Sequence, residues 1–121
     1  MGVPPEVWGP NLWGTLHLVC LAETATPEFI QEFARVIPCP MCSDHFKELI
    51  TTFPFEEAAD KFEWSVFIHN QVNIRIGKPL FRVSDAYLKW TALPPTQGFD
   101  YSLLVILALW VLLIFMFLKY K

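Results

Sequence analysis

The chain has three cysteines and five glycines in 121 residues. Three cysteines do not make the disulfide framework of a small secreted domain. Cys20 stands alone in "HLVCLAE" and reads as a small buried apolar residue on a helix. Segments that alternate apolar and polar residues are missing as well, so no strand is expected. Internal repeats and low-complexity stretches are absent. Positive charge is scarce over residues 1–100, which hold all 12 acidic residues but only seven of the nine basic ones. That balance excludes the basic footprint of a nucleic-acid binder. The N-terminal "MGVPPEVWGP" lacks a basic stretch followed by an apolar run, so no secretory signal is read there. Glu6 stands where a myristoylation signal prefers Ser or Thr.

Apolar residues are abundant instead, at 54% of the chain. Part of the excess is the run "YSLLVILALWVLLIFMFL", residues 101–118, which holds no charge, Pro or Gly. As a helix at about 1.5 Å per residue it would nearly match a hydrocarbon core of about 30 Å. It is expected to be a single-pass, C-terminal transmembrane helix, with 119–121 as a basic tip and 91–100 as a Pro-bearing linker. Residues 1–90 then form the functional domain, expected to face the cytosol.

The domain reads as a four-helix bundle plus a short fifth helix, all-α. The first helix covers 10–23, with Pro10 in its first turn and Leu12, Trp13, Leu16, Val19 and Cys20 at helical spacing. The second follows Thr26 as N-cap and stops at Pro38. The third starts at Pro40 and runs to about Thr51. The fourth is long, from about Glu56 to Ile76, and ends at Gly77. Ser84 caps the fifth, whose body is "DAYLKW".

Two cysteines, Cys39 and Cys42, form a C-x-x-C at the mouth of the third helix. Residues i and i+3 share one side of a helix, so the pair can form a disulfide across one turn or face one ligand. A helix N-terminus favours the thiolate, which makes a redox role chemically sound. A structural staple and a zinc knuckle are the rivals. Zinc needs four ligands; His45 is one candidate, but a second C-x-x-C or an H-x₃₋₅-H is lacking, and no metal is expected. Ser43 occupies the position that a haem-attachment motif gives to His.

The fourth helix places Val66, His69, Asn70 and Asn73 on one face. Asn is a poor helix-interior residue, so two there ask for a ligand or for solvent. The first helix adds Trp13 and His17 at i, i+4, suited to a planar ligand. All three histidines, His17, His45 and His69, fall in these suspect segments.

Taken together, "WGPNLWGTLH", "PCPMCSDHF" and "FIHNQVNIRIGKPLF", in this order over residues 8–90, resemble the Erv/ALR-type FAD-linked sulfhydryl oxidases, especially the minimal members of large DNA viruses. The resemblance implies FAD bound noncovalently, and a homodimer. Trp13 and His17 would contact FAD from the first helix, and His69, Asn70 and Asn73 from the fourth, with Val66 and Val72 as apolar neighbours. Lys78 would approach its phosphates and Trp90 its adenine end, with His45 a further contact. Cys42 would face the flavin and Cys39 the substrate. Electrons would pass from protein thiols through the cysteine pair and FAD to O₂, giving H₂O₂.

This chain has no second, shuttle cysteine pair, so the thiols would come from a separate protein or a thioredoxin-like relay. A cytosol-facing disulfide maker is unusual in a reducing compartment and fits a virion or a host endomembrane. A different class remains open on the residues alone, a tail-anchored helical adaptor with a structural or zinc-binding C-x-x-C.

Overall fold

The computed structural model describes residues 2–93, 98 and 100–121. Among them are six α-helices, one 3₁₀ turn and no strand. They are α1 (Pro5–Leu21), α2 (Pro27–Val36), α3 (Pro40–Thr52), the 3₁₀ turn Phe55–Glu57, α4 (Lys61–Ile76), α5 (Val83–Thr91) and α6 (Ser102–Lys119). The all-α expectation holds. α1 packs on α4, α2 on α3 and α3 on α4, while α5 lies across α1 and α4.

Capping fixes most helix starts. Thr26 Oγ1 accepts from the Phe29 N–H at 3.1 Å, with Pro27 in the first turn. Cys39 caps α3 with its own sulfur, which accepts from the Cys42 N–H at 3.2 Å. Asp60 Oδ1 accepts from the Glu63 N–H at 2.9 Å. α4 ends at Gly77, whose φ of 75° is the left-handed value that glycine adopts without steric cost.

Several boundaries differ from the sequence reading, the end of α1 at Leu21 and the span of α6 over Ser102–Lys119 by one or two residues. α1 begins at Pro5, so Pro10 lies inside it. Pro5 meets the same first-turn preference and has Glu6 beside it, which suits the positive end of the helix dipole. The fourth helix starts at Lys61, not Glu56. Asp60 interrupts the run as a cap, and Lys61 Nζ donates to the carbonyls of Phe55 and Ala58 at 2.7 and 2.8 Å, holding a separate 3₁₀ turn. Arg82, not Ser84, precedes α5. The linker expected over 91–100 lies partly outside the described residues, at 94–97 and 99, and Thr91 still belongs to α5.

The main core joins Leu16 and Cys20 of α1, Ile30 and Phe33 of α2, Phe46 and Ile50 of α3, and Trp64 and Ile68 of α4. Ser43 Oγ donates to the Ala34 carbonyl at 2.6 Å and ties α3 to α2. That tie steadies the segment that presents the two cysteines. A second cluster, Phe62, Val66 and Ala86, seats α5 on α4. At Gly14 a Cβ would come within 3.2 Å of the Trp90 ring, so glycine lets α5 approach α1 closely. α6 has a mean hydropathy of 2.6 and no buried residue, and is long and apolar enough to cross a membrane.

Candidate active site

Cys39 and Cys42 are joined as a disulfide at the first turn of α3. Both sulfurs therefore sit at the positive end of a helix dipole, where a thiolate is favoured. Cys42 also belongs to the wall of a cavity of about 600 Å³, well inside the range of about 300–1,000 Å³ typical of small-molecule sites. α1, α4, α5 and the segment between the last two form most of its wall, and Phe33 of α2 and Cys42 and Phe46 of α3 complete it. Trp13, His69, Val72, Asn73, Lys78 and Trp90 line this cavity with Cys42.

The walls are aromatic. Trp13 and His69 stack with ring centroids 3.9 Å apart and planes 4° from parallel. Trp90 packs 4.3 Å from His17 and 5.3 Å from Phe81. Lys89 Nζ lies 4.6 Å from the Trp90 ring and 4.8 Å from the Phe81 ring, so it adds a cation over their faces. Lys78 and Lys89 make this part of the wall positive.

His69 of the wall is backed by a second histidine, His17. His17 Nε2 is 2.9 Å from His69 Nδ1, and His17 Nδ1 is 2.8 Å from Ser65 Oγ. Burial lowers His17 to about 4, helped by the Lys89 charge. Burial lowers His69 to about 3, with His17, Lys89 and Lys78 acting in the same direction. Both rings are neutral at pH 7.

The remaining expected residues are placed differently. Asn70 is off the cavity lining, because both ends of its amide are engaged. Its Nδ2 donates to the Phe81 carbonyl and its Oδ1 accepts from the Phe81 N–H, each at 2.9 Å. Val66 is in the core under α5. His17 is fully buried behind His69. His45 lines a second cleft, of about 410 Å³, which shares Cys42, Val72 and Ile76 with the cavity. Cys20 is a buried free thiol, and burial raises it to about 11, so it is inert at neutral pH.

The sequence reading missed Trp8, Phe81 and Lys89, all on the cavity wall. Trp8 was findable. With α1 begun at Pro5, Trp8 and Leu12 stand at i, i+4 and both are part-buried.

Asn73 Nδ2 and Trp8 Nε1 are buried and lack a hydrogen-bond partner, and both residues line the cavity. Buried donors are seldom left unpaired, so this pair marks a place for ligand acceptors. Flat aromatic walls, two cations and two unpaired donors fit a planar, anionic, acceptor-rich group such as FAD. Among the described residues no three His, Cys, Asp or Glu side chains come together as a metal site.

Comparison with known proteins gives the same direction. The model of the Erv1 / Alr family matches residues 10–91. The putative FAD-linked sulfhydryl oxidase 347L of Invertebrate iridescent virus 6 is 30% identical over 108 residues, covering 73% of this chain and 96% of the relative. The FAD-linked sulfhydryl oxidase of African swine fever virus (isolate Tick/Malawi/Lil 20-1/1983) is 32% identical over 89 residues, 64% of this chain and 75% of the relative. The FAD-linked sulfhydryl oxidase ERV1 of Oryza sativa subsp. japonica is 32% identical over 96 residues, 70% of this chain and 50% of the relative. No solved structure gives a significant match.

Proposed function

This chain belongs to the Erv1/Alr family, and on that premise we propose that it is an FAD-dependent sulfhydryl oxidase whose working pair is Cys39–Cys42. It forms disulfides in thiol-bearing proteins. The observation that carries the site assignment is Cys42 in the wall of an aromatic cavity that also holds two unpaired donors.

A substrate thiolate attacks Cys39 Sγ. A bond forms between the substrate sulfur and Cys39, the Cys39–Cys42 bond breaks, and Cys42 leaves as a thiolate. A second substrate thiolate attacks the sulfur already bound to Cys39. The substrate disulfide forms and Cys39 is released as a thiolate. Two substrate thiols are oxidised and the cysteine pair gains two electrons. The first turn of α3 supports the negative charge, and the Cys42 N–H already points at Cys39 Sγ. Bound FAD would supply the two-electron chemistry that links the reduced cysteine pair to O₂, with H₂O₂ as the product.

The chain's side chains do the holding. Trp13, His69 and Trp90 offer flat faces, Asn73 and Trp8 offer donors, and Lys78 and Lys89 offset phosphate charge. Val72 supplies apolar wall, and Asn70 acts indirectly by bracing Phe81. Val66 and His17 back the wall from the core, and His45 borders Cys42 from the other cleft.

The substrate is a separate thiol protein or a thioredoxin-like relay, because Cys20 is too buried to shuttle electrons. α6 anchors the domain to a membrane, with residues 1–90 facing the cytosol at a virion or host endomembrane. A homodimer belongs to this reading, and exposed Val7 and Leu18 on α1 supply apolar surface for it. Oxygen uptake with dithiothreitol tests the function. Uptake is expected from the FAD-loaded chain and is lost in Cys39→Ser and Cys42→Ser; a folded, FAD-loaded chain that consumes no oxygen with any dithiol refutes it.

A further inference from the structure

A short relay runs from the cavity wall into α4. His69 Nδ1 is 2.9 Å from His17 Nε2, His17 Nδ1 is 2.8 Å from Ser65 Oγ, and Ser65 Oγ is 2.7 Å from the Phe62 carbonyl. His17 and Ser65 are fully buried.

The last group decides the direction of every link. A carbonyl only accepts, and a hydroxyl has one proton to give. Ser65 therefore donates to Phe62 and must accept from His17. His17 carries its proton on Nδ1, and as a neutral ring it has none on Nε2. His17 Nε2 then accepts, so His69 carries its proton on Nδ1. The one polar atom left to His69 is Nε2, which holds a bare lone pair, and His69 lines the cavity. Burial keeps both rings neutral at pH 7, so each carries a single ring proton.

We propose that Ser65 is a positioning residue that sets both histidine tautomers, so that His69 meets the bound cofactor as a hydrogen-bond acceptor. The cofactor half of this inference rests on the FAD reading above. The wall then presents one acceptor, His69, and two donors, Asn73 Nδ2 and Trp8 Nε1. A ligand that fits must offer an N–H or O–H toward His69 and acceptors toward the other two. FAD carries both kinds of group. Reversing the relay would make all three wall groups donors and would leave the Phe62–Ser65 contact without a proton.

The test is the ring nitrogen spectrum of the ¹⁵N-histidine-labelled full chain in detergent at pH 7, with and without flavin. His45→Gln removes the one histidine outside the relay. Wild type is expected to show His17 and His69 both protonated at Nδ1. Ser65→Ala leaves the His17 Nδ1–H without an acceptor. Both rings then switch to Nε2–H together, and FAD binds about ten-fold more weakly, the effect of about one lost hydrogen bond. Ser65→Thr, which keeps the hydroxyl, is expected to restore the pattern and the affinity. A wild-type His69 protonated at Nε2 overturns the relay whether or not the variants fold. Equal FAD affinity in wild type and a tautomer-switched Ser65→Ala overturns the acceptor role. A chain that shows both Nδ1–H rings yet takes up no flavin overturns the oxidase reading and leaves the relay standing.

Discussion

Trp13 and His69 lie face to face, 3.9 Å between centroids and 4° from parallel, although 56 positions separate them in sequence. The stack joins α1 to α4 at the cavity wall, so it serves the fold and shapes the cavity together. Trp13→Ala removes one flat face. Stacked aromatics contribute about 0.5–1.5 kcal/mol beyond area burial, so FAD affinity is expected to fall about ten-fold. Trp13→Phe should lose less. The flavin-to-protein ratio after purification, with titration of the stripped chain, checks both.

Asn70 and Phe81 form a closed pair of hydrogen bonds between α4 and the segment leading into α5. Each is worth about 1 kcal/mol net. Asn70→Ala is expected to cost about 2 kcal/mol and to lower Tm by roughly 10 °C. Flavin should also leave faster, because Phe81 belongs to the cavity wall. Thermal unfolding and flavin release by fluorescence measure the two effects. A normal Tm would show that the brace is weak.

His17 and His69 are held below their ordinary value of 6.5, at about 4 and about 3, chiefly by burial. The unfolded chain therefore binds protons that the folded chain refuses. Stability is full above pH 6.5 and falls as the pH drops through 6.5 toward 4 and below. Tm measured from pH 7.5 to pH 4.5 is expected to decline steadily below 6.5. A His17→Gln, His69→Gln chain, if it folds, should show a flatter profile. A flat wild-type profile would mean that the rings are not buried as neutral bases.

Gly14 leaves space for Trp90 at the contact between α1 and α5. Gly14→Ala sets a methyl 3.2 Å from the indole ring, and the ring has to shift. A loss of about 1–3 kcal/mol is typical of such overpacking. Weaker flavin binding should accompany it, read in the same titration as Trp13→Ala. Unchanged stability and affinity would show that α5 adjusts freely.

Much of the scaffold was legible because local chemistry set it. Thr26, Pro40 and Gly77 act at helix ends as their residue types suggest, and the fold class followed from helical spacing. The start of α1 was misread because two prolines, Pro5 and Pro10, satisfy the same first-turn rule. Asp60 and Glu63 carried a capping signal inside a run of good helix formers, and the run dominated the reading. The site was legible by residue type and less so by role. A carboxamide looks the same in sequence whether it lines a cavity, as Asn73 does, or braces a backbone, as Asn70 does. The His17–His69 contact joins residues 52 apart, and no local pattern encodes that.

The most direct measurement is the visible absorption spectrum of the full chain purified in detergent, before and after dithiothreitol is added without air. A yellow protein is expected, one that bleaches with dithiol and recolours when oxygen is admitted. A folded, colourless chain that takes up no added FAD, or a bound flavin that dithiol leaves oxidised, would contradict it.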